Sequence, residues 1–275
     1  MAFFGVGTET YLFVNGLKAN QEIKLAENKV LMPVLCPFPF EIISKKIKND
    51  IDFSIIVLNA NSITSQLKIV ADNPKDLAAS AWNTQWDLIL LSAIFNCPSV
   101  CNLQCSHSIN AISDKSILEV TNYHLKGLFA EPYIITKEDT EWLEQYYLSA
   151  QSLLDMDSFT IATHSLATYK WHNLPRVQMA ILWAGIEALF NISSELSFRT
   201  SLYVSKFLGN GRKETEKKIF EDTKNLYKIR SSAVHGSKIK GDAALPVEKS
   251  ALLLNSLIKK CIELKSLPSI DELPF

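Results

Sequence analysis

The stretch Val177–Phe190, reading Val-Gln-Met-Ala-Ile-Leu-Trp-Ala-Gly-Ile-Glu-Ala-Leu-Phe, decides the fold of the second half of this chain. Pro175 just before it suits the first turn of a helix, where no intrahelical hydrogen bond is lost. The segment is apolar on nearly all sides, which marks the central helix of a bundle and not one lying on its surface. Its single charge, Glu187, follows Trp183 by one turn. A carboxylate in such surroundings is costly unless paired, and Arg230 or Arg199 is the expected partner.

Every neighbouring segment also reads as helix. On the amino-terminal side these are Lys137–Ser152 and Ser158–Tyr169, the latter capped by Asp157 or Ser158. On the carboxyl-terminal side, Ser194 caps a segment that ends at Gly209. The run Arg212–Val234 contains neither proline nor glycine and carries an apolar stripe through Ile219, Phe220, Leu226, Tyr227 and Ile229. Gly236 is its natural stop. A last amphipathic helix spans Val247–Leu264.

The first half has a different grain. Thr10–Val14, Val30–Val34, Asp52–Leu58 and Gln66–Val70 are short runs rich in β-branched and aromatic residues, and they read as strands. Pro33–Phe40 carries three prolines and reads as an extended edge or a loop. Asp72, Asn73 and Pro74 open a helix that runs to about Phe95, with Trp82 and Trp86 one turn apart as an expected core pair. Ile117–Val120 is a further strand. The expected architecture is therefore an α+β domain over 1–135, followed by an all-α helical bundle over 136–275.

Composition narrows the function. The chain has 275 residues, 47% hydrophobic and 21% charged, as expected of a folded protein with a sizeable core. A net charge of −1 excludes a broad basic field, so any contact with nucleic acid has to be local. The longest strongly apolar run, Leu88–Phe95, is far short of the roughly 18–20 residues that span a bilayer. Met1–Gly7 lacks a basic stretch leading into a long apolar one. The expectation is a cytosolic protein without membrane contact, whose five cysteines are thiols. Cys97, Cys101, Cys105 and His107 offer zinc-binding atoms, but their spacing and Pro98 argue against convergence, and no metal or other cofactor is expected.

The segment with the most chemistry is Leu226–Gly236, Leu-Tyr-Lys-Ile-Arg-Ser-Ser-Ala-Val-His-Gly. Four residues separate Arg230 from His235, which puts them about 140° apart on a regular helix. Tyr227, Ser231 and His235 share one face instead. Arg230 has to reach round, or the helix has to loosen toward Gly236. A histidine in a last helical turn lies among carbonyl groups that favour its protonated form. Cleaving RNA without a metal needs a base for the ribose 2′-hydroxyl, an acid for the leaving 5′-oxygen, and a cation for the charge that develops on phosphorus. Histidine and arginine supply these.

Three stretches together, Ala180–Phe190, Ser197–Gly209 and Leu226–Gly236, resemble HEPN domains of the Apea-like group, over about Ser158–Leu264. The resemblance implies a helical bundle in which two chains pair, each giving its Arg and His to a shared, metal-independent RNA-cleaving cleft. Arg230 and His235 would be the catalytic pair here. Many members carry Asn, Asp or His directly after the arginine, where this chain has Ser231. A role in stress response or antiviral defence, a homodimer, and a regulatory protein partner are further expectations from the resemblance alone.

Glu187 and Tyr227, with Ser231, are candidate supporting residues, and Lys228, Lys238, Lys240 and Arg199 are candidate RNA-binding cations. Each has a plainer reading. A Glu–Arg pair either orients the arginine or only fixes helix packing. A row of lysines is either a phosphate contact or a solvated face. The whole domain is either a ribonuclease or a catalytically silent module that pairs with protein or holds a nucleotide.

Overall fold

In a computed structural model of the chain, residues 3–128, 130–192, 196–234 and 243–269 are described. The chain divides into two compact units, Met1–Leu91 with Cys97–Leu148, and Ser92–Asn96 with Ser149–Phe275. The division expected at 135/136 falls just before a helix whose first three turns pack with the first unit.

The first unit contains β1 (Glu9–Asn15), β2 (Leu17–Lys18), β3 (Ile23–Ala26), β4 (Lys29–Pro33), α1 (Phe40–Ser44), α2 (Asp50–Ala60), β5 (Ile63–Val70), α3 (Pro74–Ile94), β6 (Val100–Cys105), β7 (Leu118–Val120) and β8 (Tyr133–Ile134). Six strands form one antiparallel sheet in the order β3-β4-β5-β1-β6-β7, while β2 and β8 make a short parallel pair. Register fixes which side chains share a face, because strand side chains alternate. Leu12 and Leu31 both stand opposite Leu67. Tyr11 and Phe13 point the other way, joining Leu103, Cys105, Ile55 and Ile56 in a buried cluster under α2.

Two expectations need correction here, and one strand was missed. Asp52–Leu58, read as a strand, lies inside α2. The side chain of Asn49 accepts from the backbone N–H of Ile51, and Asp50 and Asp52 occupy the first turn, so the cap and the helix dipole outweigh the β-type composition. Trp82 and Trp86 are not core; they are 54% and 45% exposed. The line that α3 buries runs through Leu77, Ala81, Thr84, Leu88 and Leu91, and the two tryptophans project beside it. The missed strand is β6, buried next to the centre of the sheet. Asn102 and Gln104 interrupt its hydrophobic pattern, but both are buried and bonded, Asn102 to Asn122 and to the His124 carbonyl, Gln104 to Phe4 and Thr10.

The second unit takes the end of α4 (Lys137–Leu153), then α5 (Asp157–Thr168), α6 (Pro175–Phe190), α7 (Leu196–Gly209), α8 (Lys213–Val234) and α9 (Ala244–Leu264). α6 touches α5, α7, α8 and α9, so the apolar stretch at Val177–Phe190 is the centre of the bundle. Met156, not Asp157 or Ser158, precedes α5, and it makes no side-chain cap; Asp157 contributes within the first turn, where a carboxylate favours the helix dipole. The cap expected of Ser194 lies outside the described residues. Asn191 ends α6 in the left-handed conformation.

Close packing around α6 depends on Gly185. A Cβ there would lie 2.8 Å from the Cβ of Ser165 and 3.0 Å from Leu254 Cδ2. Alanine's better helix propensity, worth about 1 kcal/mol, opposes that crowding, which typically costs about 1–3 kcal/mol. Gly185→Ala should therefore lower stability by up to about 2 kcal/mol, read as a lower urea midpoint at unchanged slope. A higher midpoint would mean that α5 and α9 stand farther from α6.

Candidate functional site

The carboxyl-terminal half of α8 faces α6, and their polar side chains meet in an otherwise apolar layer. Arg230 Nη2 lies 3.1 Å from each carboxylate oxygen of Glu187, donating a hydrogen bond to Oε2 and making an ion-pair contact with Oε1. Both side chains are 19% exposed. Of the two arginines considered for Glu187, Arg230 is its partner. Arg199, on α7, is half-buried.

Burial raises the Glu187 pKa above its ordinary value, and the positive charge of Arg230 opposes that rise. The guanidinium also lies over the ring of Tyr227, 5.4 Å from its centre, and Tyr227 meets Trp183 edge-on at 5.1 Å. Burial, followed by the charge of Glu187, raises the Tyr227 pKa, so its hydroxyl stays protonated. Behind this layer, Trp183 Nε1 donates to Ser250 Oγ at 3.1 Å. Arg230 is thus held on two sides, and its Nε is buried without a hydrogen-bond partner among the described residues.

Ser231 is half-buried and Lys228 is exposed. His235, Lys238 and Lys240, together with Gly236, lie outside the described residues, which on this side end at Val234. The described geometry therefore joins Arg230, Glu187 and Tyr227, with Ser231 and Lys228 close by in sequence on the same helix.

Arg176 was not foreseen. From the first turn of α6 its Nη1 donates to the carbonyl oxygens of Ala233 at 3.0 Å and Ser232 at 3.4 Å. A cation at a helix start opposes the local dipole, and that was the one signal in the sequence that it serves another element. It serves the end of α8, where unpaired carbonyls gather.

The cysteines do not make a metal site. Cys101 and Cys105 are four residues apart on an extended strand, too far for both sulfurs to reach one ion. Burial pushes their thiol pKa values up to about 12 and about 11. Cys97 is buried with its sulfur on the Gly16 carbonyl, and Cys261 is buried in α9. Of the five thiols in the chain, Cys36 alone is partly exposed. One equivalent of thiol should therefore react quickly with Ellman's reagent in the folded protein at pH 8, and Cys36→Ser should remove it. Fast reaction of two or more thiols would contradict the burial of β6.

Among the described residues, no helix is long and apolar enough to cross a membrane. Comparison with protein-family models, with curated proteins and with solved structures returned no match to this chain.

Proposed function

We propose that the helical unit is a metal-independent RNA endonuclease of the HEPN type, acting as a homodimer, with Arg230 and His235 addressing one phosphate. The observation that carries this reading is the anchoring of Arg230. A guanidinium held by Glu187 and resting on Tyr227, near the end of the helix that leads to His235, is oriented in advance. Preorganised charge of this kind lowers the barrier to forming a pentavalent phosphorus, because little reorganisation accompanies the reaction.

His235, as base, would take the proton of a ribose 2′-hydroxyl while that oxygen attacks phosphorus. The 5′-oxygen leaves with a proton supplied by an acid, and a 2′,3′-cyclic phosphate remains. Arg230 would hold the non-bridging oxygens throughout. Lys228, Lys238, Lys240 and Arg199 are the proposed contacts to neighbouring phosphates, and Ser231 a weak aid to positioning. The first unit would sense a trigger or select the RNA, in a stress or antiviral setting, with a regulatory protein partner restraining the cut.

The test is incubation of total RNA with the purified protein in excess EDTA, against His235→Ala and Arg230→Ala. Cleavage by the wild type, ending in 2′,3′-cyclic phosphates and lost in both variants, supports the reading. Absence of cleavage by a folded dimer, or equal cleavage by the variants, rejects this active site.

The pairing of Arg230 with Glu187 also favours a second reading, a catalytically silent interaction module. A guanidinium already matched by a carboxylate has less charge to offer a phosphate. In that case the Glu187–Arg230 pair only fixes helix packing, and substitutions there change stability or dimerisation with no RNA cleavage to lose.

A further inference from the structure

The exposed side of α8 carries lysines in a regular line. Lys213, Lys217, Lys224 and Lys228 are all exposed, and at about 100° per residue they fall within an arc of about 60°. They extend about 22 Å along the helix. Phe220 stands on the same line between Lys217 and Lys224. Lys224 Nζ lies 5.7 Å from the centre of its ring.

Beside Phe220, Phe198 of α7 makes an edge contact at 5.8 Å and remains 53% exposed. Glu221 lies at the margin of the line, one turn from both Lys217 and Lys224. Continued along the helix, the line reaches Ser231, while Arg230 lies about 100° round the axis, on the side that faces α6.

An exposed aromatic ring flanked by aligned cations is the arrangement with which proteins hold a single strand, whose phosphates follow the charge and whose bases stack on the ring. We propose that this stripe, with Phe198 as the stacking surface, binds a single-stranded RNA tract along the exposed side of α8. Binding rests on the stripe's own geometry, and the proposal rests on the ribonuclease reading only for the fate of the bound strand. Charge complementarity selects the occupant. In a chain of net charge −1, four lysines on one side of one helix form a local field suited to a polyanion. An open phenylalanine among them favours unpaired bases, since a duplex keeps its base faces stacked.

The experiment is binding of a 2′-O-methyl RNA single strand of about twelve nucleotides, a length within reach of such surfaces, across a salt series. The 2′-O-methyl group blocks cleavage through the 2′-hydroxyl, so binding is read apart from chemistry. The full chain is compared with Lys217→Gln/Lys224→Gln/Lys228→Gln, with the matching triple arginine variant, and with Phe198→Ala. The glutamine triple should weaken binding at least tenfold at about 0.1 M salt and reduce the slope of log affinity against log salt by about 2. The arginine triple should restore both. Phe198→Ala should weaken single-strand binding about fivefold or more with the slope unchanged, and leave binding of a duplex of equal length as it was.

Equal affinity and slope in the glutamine triple would mean a solvated helix face and overturn the proposal, as would a wild type that does not bind the strand. The two readings fail separately. Stripe-dependent binding without cleavage of natural RNA rejects the nuclease and keeps the stripe. Cleavage that depends on Arg230, with binding unaffected by the stripe variants, does the reverse.

Discussion

On the proposed ribonuclease reading, Arg230→Ala should lower the rate of RNA cleavage by about a hundredfold or more, and it should do so while the protein remains folded. The chemical loss on that reading is that of a positioned cation taken from the place where charge would develop. The structural loss is separate: Glu187 would be left in a largely buried site without its partner. Removing one side of a buried hydrogen-bonded pair costs about 1–3 kcal/mol, seen as a lower urea midpoint.

The sign of the pH dependence tells the two apart. Because burial raises the Glu187 pKa, this carboxyl favours the folded state while it is protonated. Its contribution is fully present below the ordinary value of 4.5 and is lost as pH rises through the folded-state value. Arg230→Ala removes the charge that opposes the rise, so the variant should lose more stability than the wild type between pH 4.5 and neutrality. Glu187→Gln should flatten this dependence in both backgrounds. Arg230→Lys keeps the charge but not the planar fork, and should retain the midpoint better than the activity. Should Arg230→Ala lose stability as described while its cleavage rate matches the wild type, Arg230 is a packing residue and the nuclease assignment fails.

What could be read in advance followed the strength of the local signal. The helices of the second unit were legible because apolar periodicity, Pro175 and the end of α7 at Gly209 agree with one another, and only boundaries moved. The pairing of Glu187 was legible for a related reason, since one carboxylate in an apolar helix requires a cation. Choosing Arg230 over Arg199 needed the packing of α6 against α8, which no local pattern encodes.

The failures share a cause. In α2, a capping asparagine with two aspartates outweighed a run of Phe53, Ile55, Ile56 and Val57. In β6, polar side chains satisfied by distant partners concealed a buried strand. At Trp82 and Trp86, residue type suggested the core, whereas the helix face decided exposure. Each depends on tertiary context overriding propensity. The lysine stripe was in the sequence throughout, but only the exposed Phe198 beside Phe220, brought there by the α7–α8 packing, distinguishes it from an ordinary solvated face.

Lys29→Met should destabilise the first unit by about 3–5 kcal/mol, a loss typical of leaving a buried charge alone. Lys29 and Asp87 form an ion pair within hydrogen-bonding distance, with side-chain exposures of 7% and 1%. The pair links β4 to α3, because Lys29 stands opposite Ile69 on the face shared with Leu31 and Leu67. Tyr147 of α4 adds a buried phenol whose pKa is raised well above the ordinary value, first by burial and then by the charge of Asp87. It therefore stays protonated beside the carboxylate. Asp87→Leu alone should cost a similar amount through the stranded ammonium, while Lys29→Met/Asp87→Leu should recover most of the loss, since an apolar pair of similar volume needs no desolvation of charge. Urea unfolding of the three variants forms a double-mutant cycle in which strong coupling between the single losses is expected. Additive losses would show that the two charges are separately solvated and that α3 is held to the sheet by its leucines alone.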